Sequence, residues 1–180
     1  KLLTTYQQSA SEAQNRLSGM QTALEHIQLV IDDLGPRLLI EPNILEEHGL
    51  RESAGSIMRD FRSMFNTLNT SIAGQYLFSG TKTDNASLGG FDSMLAELTT
   101  AVAGATTASD IADRIDEWFE APLGTGGFAD TIYQGDDTGS TRFSISPDRR
   151  IDINMTANSE ELRDTLKGMA IVAYASQTGG

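Results

Sequence analysis

The sequence predicts a mainly α-helical protein with a small β part: an elongated, antiparallel three-helix coiled-coil-like stem carrying an inserted helical and three-stranded antiparallel β module. Three observations predict it. Apolar residues recur at alternating gaps of three and four over two long stretches at the start of the chain and one at its end, the spacing of a helix that packs through a narrow stripe. Between residues 128 and 155 the pattern changes to alternation of apolar and polar residues, the period of a half-buried strand. The hydrophobic fraction of 39% is low for a thick globular core and suits long helices with slender seams.

The first helix is predicted over residues 3–34, with its seam at Leu3, Tyr6, Ala10, Ala13, Leu17, Met20, Leu24, Ile27, Ile31 and Leu34. Gly35-Pro36 is predicted to end it, since proline lacks the amide and restricts the residue before it. Gly19 lowers helix propensity inside this span, so packing must hold the helix there. After a loop at Glu41-Pro42-Asn43, a second helix is predicted over 50–78 with seam residues Leu50, Ala54, Ile57, Phe61, Met64, Leu68 and Ile72. Ser79-Gly80 is its stop, and residues 81–90 are a polar loop.

Two shorter helices are predicted at 91–102 and 109–119, the second capped by Ser109 or Asp110. The glycine-rich stretch 124–127 leads into predicted strands at 128–133, 141–146 and 150–155, a three-stranded meander turning at 135–139 and at Pro147-Asp148. Ile151, Ile153 and Met155 fall on one face of the last strand, Asp152 and Asn154 on the other. The final helix is predicted over 159–176, opened by Ser159-Glu160-Glu161 and carrying Leu162, Leu166, Met169 and Ala173 at the stem spacing. The domains are therefore 1–80 with 158–180 as the stem, and 81–157 as a projecting module.

A formal net charge of -12 and a pI near 4.4 disfavour nucleic acid and anionic membrane surfaces as partners. The acidic residues are spread along the chain, so solubility accounts for them. Without cysteine the chain has no disulfide, thiolate metal site or cysteine nucleophile. No apolar run reaches the roughly 20 residues of a membrane-spanning helix. Because Lys1 already stands inside a running heptad, the sequence reads as part of a longer chain.

No enzyme, cofactor or metal site is predicted. His26 and His48 are isolated and read as polar surface. The adjacent carboxylates Asp32-Asp33, Glu46-Glu47, Asp136-Asp137 and Glu160-Glu161 read as solvated turn and cap residues, since neighbours in sequence do not face each other across a substrate. Residues 124–127 lack the phosphate-loop lysine pattern and read as a flexible connector, while Trp118 with Phe119 and Ile115 reads as a small core. Triplets at Asn69, Asn85 and Asn154 match the glycosylation pattern, which arises by chance.

Residue by residue this amounts to a helical structural or interaction protein. The segment Leu68-Asn69-Thr70-Ser71-Ile72-Ala73-Gly74-Gln75-Tyr76-Leu77-Phe78-Ser79-Gly80-Thr81-Lys82-Thr83 resembles the signature at the end of the second core helix of the flagellin family. Tyr133-Gln134-Gly135-Asp136, followed by Ile153-Asn154-Met155-Thr156-Ala157-Asn158, resembles that family's approach to its C-terminal core helix. The wording from Gly74 to Thr83 is most similar to the hook-associated members of the hook–filament junction.

The resemblance implies a non-enzymatic axial protein without cofactor, exported through the flagellar type III apparatus and placed outside the cell between hook and filament. Its implied partners are copies of itself, neighbouring hook-associated proteins, flagellin and an export chaperone. The seam spacing assigns stem packing to Leu17, Leu24, Ile27, Ile57, Phe61, Leu68, Leu162, Leu166 and Met169, and the resemblance makes Tyr76, Leu77, Phe78, Ser79, Gly80, Tyr133 and Gly135 family-motif residues. Flagellin itself, a helical secreted adhesin or translocator, and a glycan-cleaving enzyme are the alternatives.

Overall fold

The computed structural model describes residues 1–40 and 47–178, with side chains at 39, 40, 47–52 and 178 left aside. The predicted loop at Glu41-Pro42-Asn43, Glu46, the side chains of Glu47, His48 and Leu50, and the final glycines lie outside the described residues. The described residues are mainly helical with two small antiparallel sheets.

Helix α1, Leu2–Ile40, runs straight through the predicted stop. Proline removes the amide donor for the carbonyl of residue 32, but Asp32, Gly35 and Pro36 are all exposed, so no buried carbonyl is orphaned. Arg37 then pins the last turn by pairing with Asp33 at 3.4 Å and with Asp60 of α2, Glu47–Thr67. Contacts run in opposite directions along the two helices, from Arg37–Asp60 through His26–Ser63 to Arg16–Leu77, so chain order makes α1 antiparallel to the segment that begins with α2.

The second helix ends at Thr67, eleven residues before the predicted end at Phe78. Thr70 Oγ1 donates to the Thr67 carbonyl (2.6 Å), and the chain turns into a hairpin of β1, Ser71–Ile72, and β2, Gln75–Tyr76. Ala73 (φ 51°) and Gly74 (φ 79°) supply the two left-handed residues of the two-residue turn that matches strand twist. A helix through Gly74 would forfeit about 1 kcal/mol of propensity. The hairpin satisfies the same backbone groups without that cost.

Helices α3, Phe91–Ala101, and α4, Ala108–Glu120, follow the sequence reading closely. The cap of α4 is Thr107, whose hydroxyl accepts from the Asp110 amide; the Asp110 carboxylate bonds back to the Thr106 amide and hydroxyl. The predicted strand at 128–133 is instead a helical turn, α5, Phe128–Thr131. Phe128 and Ile132 are four apart, so alternation and a helical face predict the same buried pair. The Asp130 carboxylate decides for the helix by accepting from the Gly124 and Gly126 amides, which wraps the glycine stretch onto the turn. The sheet therefore has two strands and not three: β3, Thr141–Ser146, and β4, Arg149–Ile153, paired antiparallel with Phe143 opposite Ile151.

Helix α6, Glu160–Thr178, packs chiefly between α2 and α4, while α1 packs on α2 and β3. Lys167 of α6 reaches Asp116 (2.8 Å) and Glu120 (3.0 Å) of α4, and Arg163 reaches Glu120 as well. Phe61, Phe65 and Phe91 meet edge to face where α2 receives α3. Trp118, Phe119 and Phe128 form a second aromatic knot, as Trp118 was expected to do. Both belong to one apolar core that runs from Met20 to Tyr174.

Candidate functional site

The motif residues singled out in the sequence converge on a chain crossing beneath the β1–β2 hairpin. Leu77, Phe78, Ser79 and Gly80 are all buried, and residues 79–81 run beside residue 136 in a parallel bridge. The Asp136 amide donates to the Ser79 carbonyl (3.0 Å), and the Thr81 amide to the Asp136 carbonyl (3.4 Å). Leu88 pairs antiparallel with Tyr133, bracketed by Gly89 N to Ile132 O (2.8 Å) and Gln134 N to Ser87 O (2.9 Å). The approach to α6 joins through Ala157 N to Phe78 O (2.8 Å).

Two glycines permit this approach. A Cβ on Gly80, already at φ 65°, would overlap the Asp136 carbonyl oxygen and lie 2.9 Å from its carbon. One on Gly135 would lie 2.6 Å from the Ser79 carbonyl oxygen and 2.6 Å from the Tyr133 ring. Glycine is required at both because backbone, which cannot swing aside, occupies the space.

The Asp136-Asp137 pair lies in a solvated turn, as the sequence implied, with Asp137 exposed, but both carboxylates also bond neighbouring segments. Asp136 accepts from the Thr138 amide (2.8 Å) and from the hydroxyls of Thr138 and Thr81, which together hold its carboxyl down to about 2. Asp137 accepts from Tyr133 OH (2.6 Å), Thr156 Oγ1 (2.7 Å) and Asn158 Nδ2 (2.7 Å). Burial, with Asp137 as acceptor beside it, pushes the Tyr133 phenol above its ordinary range. The two carboxylates thus staple three separate segments.

Sequence reasoning missed two supports of the crossing. Arg16 is buried in the α1 seam, where its Nη2 donates to the carbonyls of Tyr76 (3.2 Å) and Leu77 (2.8 Å), and desolvation lowers its pKa. Its place between Ala13 and Met20 at seam spacing was the available signal. Asn69 donates to the Leu88 carbonyl (3.0 Å) and accepts from the Leu88 amide (2.8 Å), acting as one residue of a strand. Gly19 lets the hairpin close on α1, since a Cβ there would meet the side chains of Ile72 and Leu77.

Of the predicted stem residues, Ile27, Ile57, Phe61, Leu68, Leu162, Leu166 and Met169 are buried in the core and Leu24 packs half-buried against it. Leu17 is not a packing residue: it is 43% exposed, because the buried stripe of α1 passes through Ala13, Arg16, Met20, Ala23 and Ile27. Tyr76 is half-buried and contributes its carbonyl, and Tyr133 its ring and hydroxyl. His26 lies exposed beside Ser63 Oγ at 3.1 Å.

Among the described residues, no group of three or more His, Asp or Glu is placed to hold a metal ion, and no helix is long and apolar enough to cross a membrane. The crossing presents carbonyls, amides and carboxylates that already bond one another, so its chemistry is that of a structural clasp. Comparison with protein-family models, with curated proteins and with solved structures gives no match.

Proposed function

We propose that this chain is a structural component of the bacterial flagellum of the flagellin type, joining hook to filament by axial self-assembly. One observation carries the proposal. The segments that resemble the family signature, residues 68–83, 133–136 and 153–158, lie more than fifty residues apart at their extremes yet close into a single hydrogen-bonded clasp. A chance likeness of short words has no reason to select residues that meet.

In this proposal α1, α2 and α6 are the stem, and residues 81–157 the module it carries. The clasp locks the module's two chain crossings to the stem, which is where an axial protein under load needs stiffness. Copies of the chain, adjoining hook-associated proteins and flagellin are its partners outside the cell, after export with a chaperone. Fluorescent labelling of the protein on flagella of a motile strain tests the proposal. A single band at the hook end is the expected result; label along the whole filament would make it a flagellin, and label absent from flagella would end the flagellar assignment.

A further inference from the structure

Beside the clasp, a groove of about 700 Å³ opens between α1 and β4. One wall is a helical stripe, Leu17, Gln21, Leu24 and Gln28, recurring at the four- and three-residue steps of one helix face. The other is Ile151, Asp152 and Ile153 at the end of β4, followed by Asn154 and Met155 beyond the strand, every one of which borders the groove. Side chains of a strand alternate between its faces, so a wall built from consecutive residues is the edge of the strand. That edge is open: among the described residues the sheet has two strands, and β4 pairs only with β3. Unpaired strand amides and carbonyls next to apolar side chains are a template for another strand.

We propose that this groove is a strand-addition site that takes an extended, basic segment of a partner protein as the third strand of the sheet. Main-chain bonds to β4 supply affinity, and alternate side chains of the segment rest on Leu17 and Leu24. Three residues of β4, Ile151 to Ile153, border the groove and span about 10 Å, so the segment pairs with roughly three residues of the strand. Charge selects the partner. Glu25 and Asp152 border the groove and, among the described residues, no cation does; Arg142 pairs with Asp152 from outside it, at 2.8 Å. A second copy carrying the same charge of -12 is repelled, whereas a lysine- or arginine-bearing segment is drawn in. The proposal stands on the groove alone and does not depend on the flagellar assignment.

The test is titration of isotope-labelled protein with three peptides: one alternating lysine and valine, its glutamate and valine counterpart, and a helix-forming lysine and leucine peptide. The expected result is saturable shifts at residues 17–28 and 150–155 with the first peptide, and slowed exchange of β4 amides. Leu17→Ser and Glu25→Lys should each weaken that binding about tenfold, while Leu29→Ser, exposed outside the groove, leaves it unchanged. Absence of saturable shifts at β4 would overturn the proposal. Equal binding of the glutamate peptide would overturn its charge argument, and preference for the helical peptide its strand geometry. Sedimentation of the free protein as a dimer abolished by Leu17→Ser would show that a second copy is the occupant.

Discussion

Replacing Gly80 by alanine separates two effects that are usually confounded, conformational strain and steric approach. Gly80 and Gly74 both adopt left-handed backbone, at φ 65° and 79°. A methyl at Gly74 meets nothing within 4 Å, so Gly74→Ala should cost only the left-handed strain of about 1 kcal/mol. At Gly80 the same strain applies, and the methyl also overlaps the Asp136 carbonyl oxygen. Relieving that overlap pushes the two backbones apart and breaks the bonds from Asp136 N to Ser79 O and from Thr81 N to Asp136 O. At about 1 kcal/mol net for each bond, Gly80→Ala should cost about 3 kcal/mol, some 2 kcal/mol more than Gly74→Ala. Urea unfolding followed by far-ultraviolet circular dichroism reads both, as midpoint shifts at constant slope. Equal losses in the two variants would mean that residues 80 and 136 do not press together, and the clasp would be wrong.

Leu68 and Leu17 are both seam positions by spacing, but Leu68→Asp buries a carboxylate at a site 1% exposed and should cost about 4 kcal/mol or more, whereas Leu17→Asp should fall within about 0.5 kcal/mol of wild type by the same unfolding assay. Asp136 has a folded-state pKa near 2, below its ordinary 3.8, so its stabilisation is present above pH 3.8 and is lost as pH falls to about 2. The stability difference between wild type and Asp136→Asn should therefore shrink across that window, and a constant difference would contradict the hydrogen-bonded carboxylate. Deleting residues 91–131 removes α4 from the face of α6 that Arg163 and Lys167 anchor, so the remainder should bind a hydrophobic dye and unfold without a sharp transition. A cooperative helical remainder would instead show that residues 81–157 are separable from the stem.

The helical content, the ends of α3 and α4, and the buried character of Phe61, Leu68, Leu162 and Leu166 were legible in the sequence, because a stripe repeated at three and four reports which face a helix buries whatever covers it. The motif segments were legible as words, though not as a contact. Other features depended on partners far along the chain. A proline at 36 ends a helix by local rules, yet α1 continues because Arg37 is held by Asp60. Phe128 and Ile132 satisfy a strand and a helix equally, and the Asp130 carboxylate on the amides of Gly124 and Gly126 breaks the tie. Leu17 and Arg16 compete for one seam, and the arginine is buried because the carbonyls of Tyr76 and Leu77 wait for it sixty residues on.

By itself, then, the sequence determined the periods and the charge: which stretches coil, which faces are apolar, and that the chain is acidic. Only the tertiary structure decided where α2 stops, that the sheet keeps two strands with an open edge, and that Gly80 meets Asp136. The physical reason is range. Periodicity is a property of neighbours three or four residues apart, while a hydrogen bond between residues 79 and 136, or a guanidinium shielded by a distant turn, exists only after the chain has closed on itself.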